Sequence, residues 1–270
     1  MHTSTAPVEI GRVALTVNDL DRVAGFYEKA LGLVPLGSDG EARALGAGER
    51  VLLELRRDKA ARRAVPREAG LFHTAFLLPS RADLGAWLRH AAAARLPLQG
   101  ASDHIVSEAI YLADPEGNGI EVYADRPREA WTGLDGQIRM TTDPLDVNGV
   151  AAAAAGPWAG APEGTVVGHV HLQVGALPEA EAFYGGTLGL PVTAHYPGAA
   201  FYGSGGYHHH VATNVWNSRG APRRDFPSTG LAELELRAAP AELAAIRSRT
   251  GEGPIEDPWG TPILLSAKDT

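Results

Sequence analysis

Apolar residues along this chain follow two periods, one of strands and one of helices, in an order that recurs. Arg12 to Val17 reads as a strand, followed by a helix capped at Asn18-Asp19. Val23, Phe26, Tyr27, Ala30 and Leu31 share one face of that helix, and Gly32 is a natural stop. Val51 to Leu55 reads as a later strand, and the charged segment Arg56 to Glu68 as an exposed loop. The plan then repeats. Leu71 to Leu78 predicts a strand, Ser80 with Asp83 a capping box, and Leu84, Trp87, Leu88 and Ala91 the core face of a helix. Ala109 to Leu112 and Ile120 to Tyr123 predict two strands joined by Asp114-Pro115-Glu116-Gly117-Asn118-Gly119. In that turn Pro presets φ, and Gly and Asn tolerate positive φ. On the return strand Ile120 and Val122 take one face, Glu121 and Tyr123 the other.

No period holds over 126–164, where Pro, Gly and Ala are abundant; it reads as a linker, with Ala151 to Ala155 able to form one helical turn. Beyond it, Gly168 to Leu190 aligns without gaps to Gly11 to Leu33, sharing Phe-Tyr and Leu-Gly-Leu. Gly185-Gly186 weakens this second copy of the helix by roughly 1 kcal/mol per Gly. Asp257-Pro258-Trp259-Gly260 matches Asp114-Pro115-Glu116-Gly117 in a shortened last unit. The chain is thus four copies of one β-α-β-β-β unit, at 9–57, 70–125, 165–216 and 230–267. Along the sequence they form a first domain, 9–125, and a second, 165–267, on either side of the linker. The fold class is α+β. One unit cannot bury its sheet face alone, so units must pair.

Composition narrows the chemistry. The chain has 270 residues, ample for a sizeable core, and a net charge of −8 without a basic stripe, which argues against a nucleic-acid partner. It has no cysteine, which excludes disulfides, Cys-ligated zinc, iron–sulfur clusters and Cys nucleophiles. That fits a reducing cytoplasm, the expected location. Met1 to Pro7 carries no signal-peptide pattern, and no apolar run reaches bilayer length, so no membrane partner is expected. Ten histidines make His and carboxylate the available metal ligands.

The repeated unit, with the stretches GLFH, VSEAIYLADPEGNGIEVYADRP, GHVHL and GGYHHHVATN, resembles the vicinal oxygen chelate superfamily. That superfamily holds glyoxalase I, bleomycin-resistance proteins and extradiol dioxygenases. The chain looks most like the four-unit bacterial catechol 2,3-dioxygenases. The resemblance implies units paired into glyoxalase-like sheets, each curled around a cup. A cup of this kind usually holds a divalent metal, with ligands from the first and last strands of the units. The first-strand position holds Arg12, His73, His169 and Glu233 in the four units. The last-strand position holds Glu121 in unit two and Leu264 in unit four. Arginine cannot ligate, so His73, Glu121 and His169 remain as the metal ligands, the two-His-one-carboxylate triad of non-haem Fe(II) oxygenases. Fe(II) is the expected metal, with Mn(II) as the alternative. His171 shares a face with His169 and competes for its place; alignment favours His169. Such a triad requires units two and three to share one cup, leaving units one and four around a metal-free one. The competing layout, one with two and three with four, leaves each cup short of ligands. Glu54 reads as structural, and His90 and His195 as surface residues.

By the same resemblance, Tyr111 takes the place of an active-site tyrosine and His104 that of an acid–base histidine. In His208-His209-His210, alternation sends His209 to one face and its neighbours to the other. His209 matches the histidine beside bound O₂, and His210 replaces it if the register slips by one. Trp216, Phe72 and Phe201 are candidates for an apolar wall. The implied reaction is extradiol cleavage of a catechol with O₂. One rival is a glyoxalase- or isomerase-like metal enzyme, which uses a second carboxylate ligand. The other is a protein that binds a small aromatic or drug without chemistry. Relatives commonly assemble, so a homo-oligomer is expected.

Overall fold

The computed structural model describes residues 5–133 and 137–268. Unit one comprises β1 (Val8–Val17), α1 (Leu20–Leu31), β2 (Val34–Ser38), β3 (Ala42–Ala47) and β4 (Arg50–Arg57). Its helix starts where the Asp19 side chain accepts the Arg22 N–H and ends at Gly32, whose φ is 66°. Unit two comprises β5 (Gly70–Leu77), α2 (Arg81–Ala93), β6 (Gly100–Asp103), β7 (Ser107–Ala113) and β8 (Gly119–Asp125). Ser80 caps α2 by accepting the Asp83 N–H. The segment after unit two is more than a tether. It adds a short strand, β9 (Asp143–Pro144), and a helix, α3 (Val147–Ala152).

Unit three comprises β10 (Val166–Gln173), α4 (Leu177–Ala180), β11 (Val192–Tyr196), β12 (Ala199–Tyr202) and β13 (Val211–Asn214). After its first turn, α4 widens into a π-helical stretch at Glu181–Thr187, which contains the glycine pair. Glycine's backbone freedom weakens the ordinary helix there, and Tyr184 is buried from the widened turn. Unit four is shorter: β14 (Gly230–Ala238), α5 (Pro240–Thr250), β15 (Ile255–Glu256) and β16 (Pro262–Ala267).

The strands make two sheets, and each takes one unit from either side of the linker. One runs β15-β16-β14-β1-β4-β3-β2, from units four and one. The other runs β11-β12-β13-β10-β5-β8-β7-β6-β9, from units three and two plus the linker strand. The split into 9–125 and 165–267 therefore divides the sequence and not the sheets. In each sheet the two first strands pair antiparallel, β1 with β14 and β5 with β10. Each first strand also pairs in parallel with the last strand of its own unit. One buried cluster includes Leu15 and Leu234 of the first sheet together with Phe76 and Leu172 of the second. That shared core is how units unable to bury a sheet face alone are stabilised.

Candidate functional site

Register decides which side chains meet. On β5, Ala75 lies across from His169 of β10 on one side and from Glu121 of β8 on the other. Residues directly opposite in a sheet share a face, and so do residues two apart on one strand. His73 thus joins Glu121 and His169 on one face of the sheet, around Ala75. Gly119 permits the approach of β8 to β5, since a Cβ there would lie 2.0 Å from the Phe72 carbonyl oxygen.

His73, Glu121 and His169 are all buried, and one potential ligand atom from each lies within 4.8 Å of the other two. His73 Nε2 is 3.0 Å and His169 Nε2 3.4 Å from Glu121 Oε2. The His73 contact is close but not aligned as a hydrogen bond, so Nε2 is a buried polar atom without a partner. Burial opposes ionisation of Glu121, but His169 and His73 outweigh it and hold the carboxyl well below the usual range. Burial lowers His169 to about 4, with Glu121 opposing the shift. At neutral pH Glu121 is a carboxylate and His169 a neutral imidazole, and these two can take a divalent metal without expelling a proton. An orphaned imidazole nitrogen beside a carboxylate is what such a donor set looks like by itself, and the residues fit a metal.

The triad lies in a cavity of about 250 Å³, together with His104, Tyr111, His171, His209, Phe72, Phe201 and Trp216. His104 and Tyr111 form a chain. His104 Nδ1 is 2.5 Å from the Thr141 carbonyl, and Nε2 is 2.6 Å from the Tyr111 hydroxyl. A carbonyl only accepts, so Nδ1 carries the proton; in neutral His104, Nε2 then accepts the Tyr111 O–H. Burial, then the nearby Glu121 charge, push the Tyr111 phenol well above its ordinary pKa.

The three consecutive histidines divide between environments. His209 lines the cavity, its ring 4.2 Å from that of His169. His210 does not line it: its Nδ1 accepts the Ser204 N–H at 3.2 Å and its ring packs on Tyr207. Of the two candidates, His209 is the one that lines the cavity, while His210 packs behind it. His208 supports His209 from behind. Its Nε2 is 3.0 Å from Asp125 Oδ1 and its Nδ1 is 2.8 Å from His209 Nδ1. The carboxylate only accepts, so neutral His208 accepts at Nδ1 from His209 Nδ1–H, and His209 Nε2 carries the free lone pair. Tyr207 also donates to Asp125, at 3.1 Å. His171 lines the cavity but is 3.0 Å from Asn214 Nδ2 through its own Nε2, so it stands outside the triad.

Sequence reasoning missed two parts of this site. Met140, Thr141 and Thr142 of the linker line the cavity, although no periodicity marks them. Asp125 and His208 form the support behind His209; the carboxylate closing β8 was the one available signal.

The second cup repeats the geometry without the ligands. Ala14 lies across from Glu233 and Glu54, as Ala75 does from His169 and Glu121. In place of His73 stands Arg12, with Nη1 3.0 Å from Glu54, Nη2 2.9 Å from Glu233 and Nε 3.6 Å from Glu235. Glu54 is thus the counterpart of Glu121, held in an ion-pair cluster around a guanidinium. The remaining last-strand positions are Leu264, across from Glu235, and Ala212, across from His171.

Comparison with known proteins agrees with this architecture. The family model described as Glyoxalase/Bleomycin resistance protein/Dioxygenase superfamily matches residues 9–122 and 166–264. A catechol-2,3-dioxygenase of Bacillus subtilis (strain 168) is 41% identical over 228 residues, 82% of this chain and 80% of that protein. A solved glyoxalase I from Zea mays is similar with a TM-score of 0.55 at 15% identity, over 97% of this chain and 93% of that one. A solved Streptococcus pneumoniae cppA protein is similar with a TM-score of 0.60 at 11% identity, over 96% and 99%. The two structures speak to the fold alone. With the family model spanning most of the chain and a relative this similar, the chain belongs to the glyoxalase, bleomycin-resistance protein and dioxygenase superfamily.

Proposed function

We propose that the protein is a non-haem Fe(II)-dependent extradiol dioxygenase that opens the ring of a catechol or substituted catechol with O₂. The observation that carries this is the donor set of two imidazoles and one carboxylate under an aromatic-walled cavity. His73, Glu121 and His169 would hold the metal, and Mn(II) suits the same ligands. When bound, the metal would supply a Lewis acid that lowers the phenol pKa of the substrate. The similar Bacillus subtilis protein carries the name of this activity.

The chain's own residues handle protons and position. Tyr111 donates to His104, so its oxygen offers lone pairs to a substrate hydroxyl. A proton leaving that hydroxyl has a path through Tyr111 to His104 Nε2, with Thr141 fixing the imidazole from behind. His209 faces the cavity with Nδ1 committed to His208, so its Nε2 takes a proton before it can give one. Phe72, Phe201 and Trp216 line the cavity and would offer apolar contact to the ring. Catechol and O₂ combine into 2-hydroxymuconic semialdehyde, with both oxygen atoms retained.

A glyoxalase-like proton shuttle would use a second carboxylate at the metal. The position equivalent to Glu121 on the partner unit is Ala212, which has none to offer. The deciding experiment is O₂ uptake with catechol after anaerobic reconstitution with Fe(II). Uptake at one O₂ per catechol with a yellow product is expected. No uptake from any catechol by iron-loaded protein would defeat the reading and favour the shuttle.

A further inference from the structure

We propose that Met140 is a redox-sensitive modification site. Hydrogen peroxide converts its thioether to the sulfoxide, which loosens the linker from the cavity and lowers turnover until a methionine sulfoxide reductase reverses it. The source of the peroxide and the loss of turnover rest on the ring-cleavage reading above; the modification and the loosening do not.

Sulfur is scarce in this chain. It has no cysteine, and Met1 and Met140 are its two methionines. Met140 lines the cavity that holds His73, Glu121 and His169. It is half-buried and also lines the outer groove between the linker and β11. An oxidant therefore reaches it from the cavity or from outside. A catechol that meets O₂ without ring opening supplies one. Two electrons and two protons pass from the diol to O₂, giving the ortho-quinone and hydrogen peroxide. The sulfur lone pair then takes one oxygen as the peroxide O–O bond breaks, and the other oxygen leaves as water. Thioether and peroxide become sulfoxide and water.

Packing decides why one oxygen atom matters here. Met140 wedges the linker between two apolar clusters, one of Val106, Trp131 and Tyr207, the other of Ala199, Phe201 and Ala212. A thioether suits such aromatic and aliphatic neighbours. A sulfoxide brings a strong acceptor against surfaces with no donor to offer, and gains by turning to water. The linker is anchored on either side of this point. Arg139 N–H donates to the Trp131 carbonyl at 2.8 Å, and Asp143–Pro144 pairs with β6. Between these anchors, Met140 packing and the His104 bond to the Thr141 carbonyl hold the linker over the cavity. Met140 turning outward therefore draws the next residue, Thr141, away from His104.

The test treats the metal-free, full-length chain with hydrogen peroxide and then removes the oxidant. Peptide mass reads oxygen uptake at Met140. Trypsin reads linker opening by cleavage after Arg139, the exposed residue before it. Anaerobic reloading with Fe(II) then gives kcat and KM for catechol. Met140→Leu, close in volume and without sulfur, is the control. Met140 should gain one oxygen, and cleavage after Arg139 should speed up roughly tenfold. The kcat/KM for catechol should fall roughly tenfold, and methionine sulfoxide reductase should restore both values. Met140→Leu should hold its own starting values through the same treatment. Equal losses in Met140→Leu, a Met140 that peroxide leaves unmodified, or a fully oxidised Met140 with the cleavage rate unchanged would each overturn the inference. If no catechol is turned over before treatment, the ring-cleavage reading fails separately, and peptide mass and trypsin cleavage decide the modification alone.

Discussion

A single hydrogen-bond acceptor can fix the chemistry of an imidazole, and two acceptors do so here. The Thr141 carbonyl fixes His104, and the Asp125 carboxylate, through His208, fixes His209. Asp125→Asn offers His208 an amide that can donate or accept, so the tautomer is no longer imposed. We expect kcat to fall roughly 100-fold with KM little changed, and Asp125→Glu to recover part of the loss; steady-state kinetics with catechol will show it. His210 has a different consequence. Burial, with the neighbouring His208 and His169 adding to it, lowers its pKa to about 3. Its Nδ1 accepts the Ser204 N–H, so neutral His210 already carries its proton on a buried Nε2 without a partner, and a second proton would go to Nδ1 and displace the Ser204 hydrogen bond. The unfolded chain takes up that proton below about pH 6.5 while the folded protein does so only near 3. Stability must therefore fall as pH drops through this window, by about 1.4 kcal/mol per pH unit for this group. Urea unfolding at pH 6.5 and pH 5 should show about 2 kcal/mol less dependence in His210→Gln.

Elements with a regular period were legible in the sequence, and the linker was not. Strand β5, helix α1 and the β7–β8 hairpin stand where their apolar spacing and caps placed them, because local pattern and tertiary burial agree there. The linker has no period since it packs as single residues against a surface other elements create. Met140 touches both the cluster of Phe201, Ala199 and Ala212 and that of Val106, Trp131 and Tyr207. The glycine pair in unit three was a visible weakness, but its outcome, a π-helical stretch, depends on packing around Tyr184. Met140→Ala removes a wall of the cavity without opening the main core. KM for catechol should rise about 5–30-fold, the equivalent of 1–2 kcal/mol of lost apolar contact. Thermal midpoints of the two proteins should stay close.

At the scale of the whole molecule, the two sheets are near copies with opposite answers to one problem. Each brings donors from a first strand, its partner's first strand and a last strand to one concave spot. In one cup the donors are His73, His169 and Glu121; in the other, Arg12 stands among Glu54, Glu233 and Glu235. The crossed pairing of units was accessible from sequence only through its ligands, since strand periodicity carries no information on which units meet. The counterpart of Glu121 in unit one, Glu54, was visible as a residue but not as a position, because register shifts in a sheet are set by three-dimensional pairing.

The central claim is that one cup of the two is built for metal. It is tested most directly by counting Fe(II) or Mn(II) bound per chain after anaerobic loading and dialysis, in the wild type, Glu121→Ala and Glu54→Ala. The account predicts one ion per wild-type chain, none retained in Glu121→Ala, and one in Glu54→Ala. Two ions per chain, or an ion kept by Glu121→Ala and lost from Glu54→Ala, would contradict it.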